Sequence, residues 1–100
     1  ILLVGSRLDA GKAERFGLVS LVVPSDSLMS ECLAIANKIA SNAPLAVRAV
    51  KEISRWSKDK SLEESLRYGN ALRWAIGQTE DAREGPRAFS EKRPAIFKGN

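Results

Sequence analysis

Apolar residues recur every three or four positions through most of this sequence, and that spacing constrains the fold more than any other feature. Spacing of this kind places side chains on one face of an α-helix. The clearest run predicts a helix from the cap candidates Ser25 and Asp26 to about Ser41; its apolar members are Leu28, Cys32, Ile35 and Ile39. The sequence therefore predicts a mainly α-helical chain of about five helices with one short extended segment.

The segment before this run predicts the first helix and the extended segment. Asp9 is a candidate N-cap for a short helix, because its carboxylate can accept hydrogen bonds from the first free amides. Gly17 is placed to end that helix. The β-branched residues between 18 and 23 favour an extended stretch that Pro24 ends. This stretch is too isolated to form a sheet.

Two further helices are predicted in the middle of the chain. Asn42 is the predicted cap of the third helix, which has Pro44 in its first turn, where a missing amide hydrogen costs nothing. Ser61 and Glu64 have the spacing of a capping box, in which each side chain satisfies a free amide of the other residue. A fourth helix therefore starts there and should end near Gly77.

The last helix is predicted to begin at Thr79 and to meet an obstacle at Pro86. A proline inside a helix removes one amide donor and clashes with the carbonyl four residues earlier, at a cost of about 3 kcal/mol. We therefore expect a kink or a restart at Gly85 and Pro86. Residues 92–100 are predicted to form an extended basic tail that needs a surface to lie on.

These elements divide the chain into two parts. Residues 1–24 are predicted to hold the end of an element linked to a larger core, the short helix and the extended segment. Residues 25–100 are predicted to form a helical domain with the basic tail. The apolar run at residues 1–4 has the character of an element that starts before this sequence, so we expect a fragment.

Cysteine and histidine usage excludes several kinds of chemistry. Cys32 is the single cysteine and the sequence has no histidine, which excludes an internal disulfide, the usual zinc sites and nucleophiles that depend on an imidazole base. We expect Cys32 to be a buried, inert thiol in a reducing compartment. Because no apolar run approaches the roughly 20 residues that span a bilayer, membrane insertion is excluded.

None of the acidic residues stands out as half of a catalytic pair. Glu63 and Glu64 are adjacent, so their side chains diverge by about 100° on a helix and cannot flank one substrate bond. We expect Glu63 to pair with Arg67, one turn later. Other acidic residues suit the positive end of the last helix dipole; they are Glu80, Asp81 and Glu84.

Basic residues give the chain a net charge of +4 and are concentrated in two segments. The first is mainly interpreted as a solvated face of the third helix and its end; it contains Arg48, Lys51, Arg55, Lys58 and Lys60. The second contains Arg83, Arg87, Lys92, Arg93 and Lys98. Phe89 and Phe97 accompany the second group, and a cation beside an exposed aromatic ring suits a nucleotide with phosphates. An ordinary solvent-exposed surface explains this second group of basic residues equally well.

Several motifs follow one another along the chain. They are ILLVGSRLDA at 1–10, AERFGLV at 13–19, VVP at 22–24, IASNAPLAVRAVK at 39–51, TEDAREG at 79–85, AF at 88–89, EKRP at 91–94 and FKG at 97–99. In this order and at this spacing they resemble the C-terminal part of the crotonase family, the enoyl-CoA hydratases and isomerases. The resemblance covers essentially the whole chain and is most specific from Thr79 onward.

The resemblance implies a thioester enzyme, a lyase or isomerase, whose core is a spiral of ββα turns followed by a helical region that builds trimers, often paired into hexamers. This chain would be that helical region of a crotonase-like α/β fold. It would come from a cytoplasmic enzyme or, in a eukaryote, one of the mitochondrial matrix. In the family, two backbone amides polarise the acyl-CoA carbonyl and carboxylates move protons. Those parts lie upstream, so we assign no catalytic residue and expect the segment alone to be inactive.

The resemblance also implies a binding role. Members of the family place an aromatic residue and a lysine at the nucleotide end of CoA, commonly that of a neighbouring subunit, and this maps onto Phe89 and Lys92. The two lie three apart, on one face of the predicted helix. Pro86 and Ser90 depart from the family pattern, and a kink upstream would re-aim Phe89. Neither a tightly bound cofactor nor a metal is expected.

Two other functions are compatible with the sequence. One is a free-standing helical interaction module without a ligand, which the amphipathic helices would support. The other is nucleic-acid binding, but the charge is modest and a recognition motif is missing. We therefore expect an acyl-CoA substrate and a homo-oligomer, and neither nucleic acid nor membrane as a partner. Large aromatic residues favour an oligomeric interface; they are Trp56, Tyr68 and Trp74. For Trp56, a position in the core of the domain is an equally good explanation.

Overall fold

A computed structural model describes residues 3–100, and within that range the chain is mainly helical. The helices are α1 (Ala10–Arg15), α2 (Leu28–Ala40), α3 (Pro44–Trp56), α4 (Leu62–Ile76) and α5 (Glu80–Ser90), with 3₁₀ turns at Ser25–Ser27 and Ser57–Asp59. No strand forms between residues 3 and 100. The predicted number and order of helices is confirmed. Ile1 and Leu2, the start of the predicted apolar element, lie outside the described residues.

The chain forms two compact units, Ile1–Ile35 and Ala36–Asn100. The division predicted from the sequence, into 1–24 and 25–100, stays a prediction. In the first unit, the Asp9 side chain accepts a hydrogen bond from the Lys12 amide at 2.8 Å, as expected of an N-cap. Gly17 follows α1 with φ +70°, a left-handed conformation that glycine adopts without steric cost.

In the second unit, the side chain of Asn42 serves a different helix from the one predicted. Its Nδ2 donates to the Lys38 carbonyl at 2.9 Å, so it satisfies the last turn of α2. The N-cap of α3 is Ala43, which makes no side-chain cap bond, and Pro44 occupies the first turn. The prediction of an Asn42 cap is wrong because two helix ends compete for this side chain, and proline reduces the number of free amides at α3.

The helices α3 and α4 pack against each other as a hairpin. The ring centroids of Trp56 and Tyr68 lie 4.6 Å apart, and the Tyr68 hydroxyl donates to the Glu52 carboxylate. Stacked rings of this kind stabilise an interface beyond the area that they bury. The predicted capping box is confirmed: Ser61 Oγ accepts from the Glu64 amide at 3.2 Å, and Glu64 Oε2 accepts from the Ser61 amide at 2.9 Å.

Helix α5 runs without interruption through Pro86. The predicted restart at Gly85 and Pro86 is therefore wrong. A proline costs a helix one amide donor, but the other hydrogen bonds of α5 and its contacts with the C-terminal tail offset that loss. The side of α5 near Gly85 is open, since a Cβ built there meets nothing within 4 Å.

Few side chains are buried in the described part of the chain. The buried apolar residues are Ala49 and Ala88. Cys32 is exposed, so the prediction of a buried thiol is wrong: the apolar face of α2 that carries it is not covered within the described residues. Large apolar side chains on α4 are exposed as well, including Trp74 at 73%.

Candidate functional site

The two residues predicted to bind the nucleotide end of CoA lie at the C-terminal end of α5. Phe89 is in the last turn of the helix, while Lys92 lies two residues beyond it. The Lys92 amide donates to the Phe89 carbonyl at 3.2 Å and the Arg93 amide to the Ala88 carbonyl at 3.0 Å, which is the bonding pattern of a Schellman turn. The prediction that Phe89 and Lys92 share one helix face is wrong, because α5 ends at Ser90.

Lys92 occupies the left-handed position of this turn, with φ +52°. Glycine is the usual residue there, because a Cβ in that conformation crowds the backbone at a cost of about 1 kcal/mol or more. At the end of α1 the same two hydrogen bonds form, from Gly17 to Glu14 and from Leu18 to Ala13. Lysine therefore stands in α5 where the equivalent turn of α1 has glycine.

Both candidate side chains face solvent. Phe89 is 87% exposed, although it is a large aromatic residue. Lys92 is exposed as well, and within residues 3–100 its ammonium has no carboxylate within 4.0 Å. The turn thus presents a flat apolar ring and an unneutralised cation close together in the chain.

Arg93 follows Lys92 and joins two carboxylates. Its Nη1 and Nη2 donate to Glu84 at 2.5 and 2.9 Å, and its Nε donates to Glu91 at 2.5 Å. The Arg93 guanidinium and the Ile96 amide hold the pKa of Glu84 at about 2, well below its ordinary value of 4.5. Hydrogen bonds from Arg93 and Arg87 lower the pKa of Glu91 as well. Both carboxylates are therefore ionised and occupied.

The C-terminal tail lies along α5, which supplies the surface that the sequence required. Asp81 is 3% exposed, and its carboxylate accepts from the Lys98 amide at 2.7 Å and the Gly99 amide at 2.8 Å. Its own amide donates to the Asn100 carbonyl at 3.2 Å. Glu84 accepts from the Ile96 amide at 2.9 Å. From the sequence, Asp81 and Glu84 were expected only to complement the helix dipole, whereas both also hold the tail.

The second unit has hollows of different character. A polar cavity of about 200 Å³ lies between α5 and the tail, beside Asp81, Arg87 and Lys98. An apolar groove of about 590 Å³ is lined by Ile39, Val47, Val50 and Phe97 among others. A basic groove of about 560 Å³ on α3 is lined by Arg48, Lys51, Glu52, Arg55 and Trp56.

Most acidic side chains in the second unit have a structural partner. Glu63 pairs with Arg67 at 2.6 Å, as predicted, and Glu80 pairs with Arg83 at 2.5 Å. Within residues 3–100, no group of three or more His, Cys, Asp or Glu side chains could hold a metal ion. Nor does this part of the chain include a helix long and apolar enough to cross a membrane.

Comparison with known proteins places this arrangement in a family. The sequence model of the family described as enoyl-CoA hydratase/isomerase matches residues 1–100. The chain therefore belongs to the enoyl-CoA hydratase/isomerase family, as the motifs indicated. It is similar to a carnitinyl-CoA dehydratase of Citrobacter koseri, with 41% identity over 99% of this chain and 40% of the relative. An (E)-benzylidenesuccinyl-CoA hydratase of Thauera aromatica is also 41% identical, over 99% of this chain and 39% of that protein.

Solved structures agree with this assignment. The crystal structure of an enoyl-CoA hydratase from Bacillus anthracis superposes with a TM-score of 0.94 at 38% identity, over 98% of this chain and 38% of that one. The chain thus has the fold of the corresponding region in a crotonase-fold protein. The chain spans about two fifths of the length of the curated relatives it matches.

Proposed function

We propose that this chain supplies the nucleotide-binding end of an acyl-CoA site in a hydratase or isomerase. Its relatives include a dehydratase and a hydratase whose names specify CoA thioesters. CoA carries an adenine ring and several phosphates, so a site for this end requires a flat apolar contact and cations. Phe89 supplies the first and Lys92 the second.

The observation that carries the proposal is the left-handed backbone of Lys92. Backbone strain at a non-glycine residue persists where the surrounding structure enforces it, and it concentrates at functional sites. Here the strained residue is an exposed lysine without an ion-pair partner in the described part of the chain. An ammonium in this setting suits a phosphate as a point charge. Glycine would satisfy the turn but would remove that charge.

Bond-making and bond-breaking residues are proposed to lie outside this segment. Stabilising an enolate-like intermediate requires preorganised donors at the thioester carbonyl and a carboxylate that is free to move a proton. Hydrogen bonds to the Arg93 side chain and to tail amides occupy Glu84, Asp81 and Glu91. We therefore expect residues 1–100 alone to be inactive.

Exposed apolar residues on α4 support a second role in a homo-oligomer. Leu62, Leu66 and Trp74 are 75%, 58% and 73% exposed, and aromatic and apolar side chains are enriched in the centre of subunit interfaces. We propose that this face contacts a second copy, in a trimer or hexamer. Light scattering on the complete protein should show dissociation when Trp74→Glu places a charge in the contact, and no change for Lys38→Glu, which alters an exposed charge on α2 instead.

Titration calorimetry with CoA tests the nucleotide site in the complete protein. We expect Lys92→Ala to weaken CoA binding about tenfold, since a hydrogen bond to a charged group contributes about 1.5 to 3 kcal/mol. Phe89→Ala should weaken it by a similar factor, because stacking of one base on an aromatic ring contributes about 1 to 3 kcal/mol. Lys38→Ala, which removes an exposed cation from α2, serves as the matched control and should change nothing.

Pantetheine, which lacks the nucleotide, distinguishes a local effect from a general loss of folding. Its affinity should be the same in the native protein, in Lys92→Ala and in Phe89→Ala. Equal CoA affinity in the native protein and in Lys92→Ala would refute the assignment of the phosphate contact. An equal loss of CoA and pantetheine binding would show that the substitution damages the fold instead.

A further inference from the structure

The turn that presents Lys92 is held by the side chain of Arg93 as well as by backbone bonds. The backbone bond from Arg93 to Ala88 closes the turn, and the guanidinium of the same residue reaches back to Glu84, in the second turn of α5. One residue thus joins the turn, the body of the helix and the start of the tail. The equivalent position at the end of α1 is Leu18, which carries no charge.

Arg93 also binds the carboxylate that stands next to Lys92 in the chain, that of Glu91. The Glu91 carboxylate accepts from Arg93 at 2.5 Å and from Arg87 at 3.1 Å. A carboxylate bound by two guanidinium groups attracts the neighbouring lysine less strongly than a free carboxylate does. It also repels an approaching phosphate less strongly.

We propose that Arg93 is the positioning residue of this site: it ties Glu84 and Glu91 together, which holds Lys92 in its left-handed conformation and keeps the ammonium available to an anionic ligand. This rests on the proposed function insofar as the ligand is the nucleotide end of CoA. Arg93 itself is committed to three carboxylate bonds and acts on the ligand through Lys92.

Arginine is the residue that this geometry requires. Its planar group directs Nε to one carboxylate while Nη1 and Nη2 form a two-pronged contact with the other. A lysine would keep the charge but has a single nitrogen, which cannot reproduce three directed bonds to two carboxylates. Arg93→Lys therefore separates the geometry of the contact from its charge.

Hydrogen exchange and CoA titration on the complete protein test the proposal together. In Arg93→Lys without ligand, the backbone amide hydrogens at position 93 and at Ile96 should exchange at least tenfold faster than in the native protein, since the hydrogen bonds that protect them are weakened. CoA affinity should fall about tenfold, as for Lys92→Ala, while pantetheine affinity stays unchanged. The CoA affinity of the double variant, Lys92→Ala with Arg93→Lys, should lie within about twofold of that of Lys92→Ala. The effects of residues that act through one contact are not additive.

Separate outcomes decide the positioning role and the proposed function. If the losses from Lys92→Ala and Arg93→Lys multiply in the double variant, Arg93 does not act through Lys92 and the proposal is overturned. If Lys92→Ala leaves CoA affinity intact, the assignment of Lys92 to the nucleotide end of CoA fails. Hydrogen exchange then decides on its own whether Arg93 holds the turn: unchanged protection of the amides in Arg93→Lys overturns that role.

A second variant guards against misfolding. Glu91→Gln leaves Arg93 and its contact with Glu84 in place. Without ligand, the amide of Arg93 should exchange faster than in the native protein by a smaller factor of about three, because one charged acceptor out of two is lost. Unchanged exchange of this amide in Glu91→Gln would contradict the part that the Glu91 carboxylate has in holding the turn.

Discussion

The helices α1 and α5 end in the same backbone turn, but they place different residues at its strained position. Gly17 has φ +70° after α1, and Lys92 has φ +52° after α5. In α1, glycine occupies this position, and the Val22 amide donates to the Glu14 carboxylate at 3.1 Å. In α5, the contacts of Arg93 with Glu84 and Glu91 support the turn in addition. The two turns thus differ in that the residue other than glycine stands where an arginine joins the turn to the body of its helix.

Acid should have the largest effect on the α5 turn, because it neutralises both carboxylates that Arg93 joins. The folded-state pKa of Glu84 is about 2, below its ordinary value of 4.5. A lowered pKa stabilises the fold at pH values above 4.5, and this contribution is lost as the pH falls toward 2. Urea unfolding at a series of pH values should show declining stability across that window.

The Glu84→Gln variant isolates this contribution from that of other acidic residues. It has no charge to lose at position 84, so its stability should fall less steeply between pH 4.5 and 2. Identical slopes in the two proteins would contradict the role assigned to the pair of Glu84 and Arg93.

Asp81→Ala should have the next largest effect. Removal of this buried carboxylate leaves the Lys98 and Gly99 amides without their acceptor, and two hydrogen bonds to a charged group contribute about 3 kcal/mol together. The free energy of unfolding from urea titration should fall by that amount. Glu80→Ala, one residue earlier and exposed, removes only a surface ion pair and should cost less than about 1 kcal/mol. Equal losses would refute the anchoring role of Asp81.

Features that depend on residues close together in the chain were predictable from the sequence. Asp9 and the pair Ser61 and Glu64 cap their helices as expected, because the donors and acceptors are three residues apart. Asn42 was misassigned, since either of two adjacent helices could use its side chain. Local pattern alone does not decide between two such partners.

The candidate site was predictable only in part. Phe89 and Lys92 were assigned through the resemblance to a family; both are exposed, and their binding role stays a prediction. The partners of Asp81 lie 17 and 18 residues away, in a tail without regular structure. No helical or strand periodicity predicts such contacts. The restart predicted at Gly85 and Pro86 rested on the local cost of proline alone, and α5 runs through both residues.

Gly17→Ala should destabilise the turn of α1 moderately. A Cβ at φ +70° meets no neighbouring atom within 4 Å, so the cost is the backbone strain alone, about 1 to 1.5 kcal/mol. Faster hydrogen exchange of the Leu18 amide would report it. Gly85→Ala, inside α5 and at an ordinary backbone conformation, is the matched control and should be neutral or stabilising. A neutral Gly17→Ala would show that the left-handed position tolerates a side chain without external support.

Lys92→Gly should have the smallest effect on stability, and in the opposite direction. Glycine relieves the strain at φ +52° but loses more conformational freedom on folding, so the net gain in the free energy of unfolding should be about 0.5 kcal/mol. The same substitution should weaken CoA binding as Lys92→Ala does, because both remove the ammonium. A protein that gains stability and loses affinity together would show that lysine is kept at this turn for its charge. If Lys92→Gly were instead destabilising, the contacts of Arg93 would already remove the strain, and the turns of α1 and α5 would differ in energy as well as in sequence.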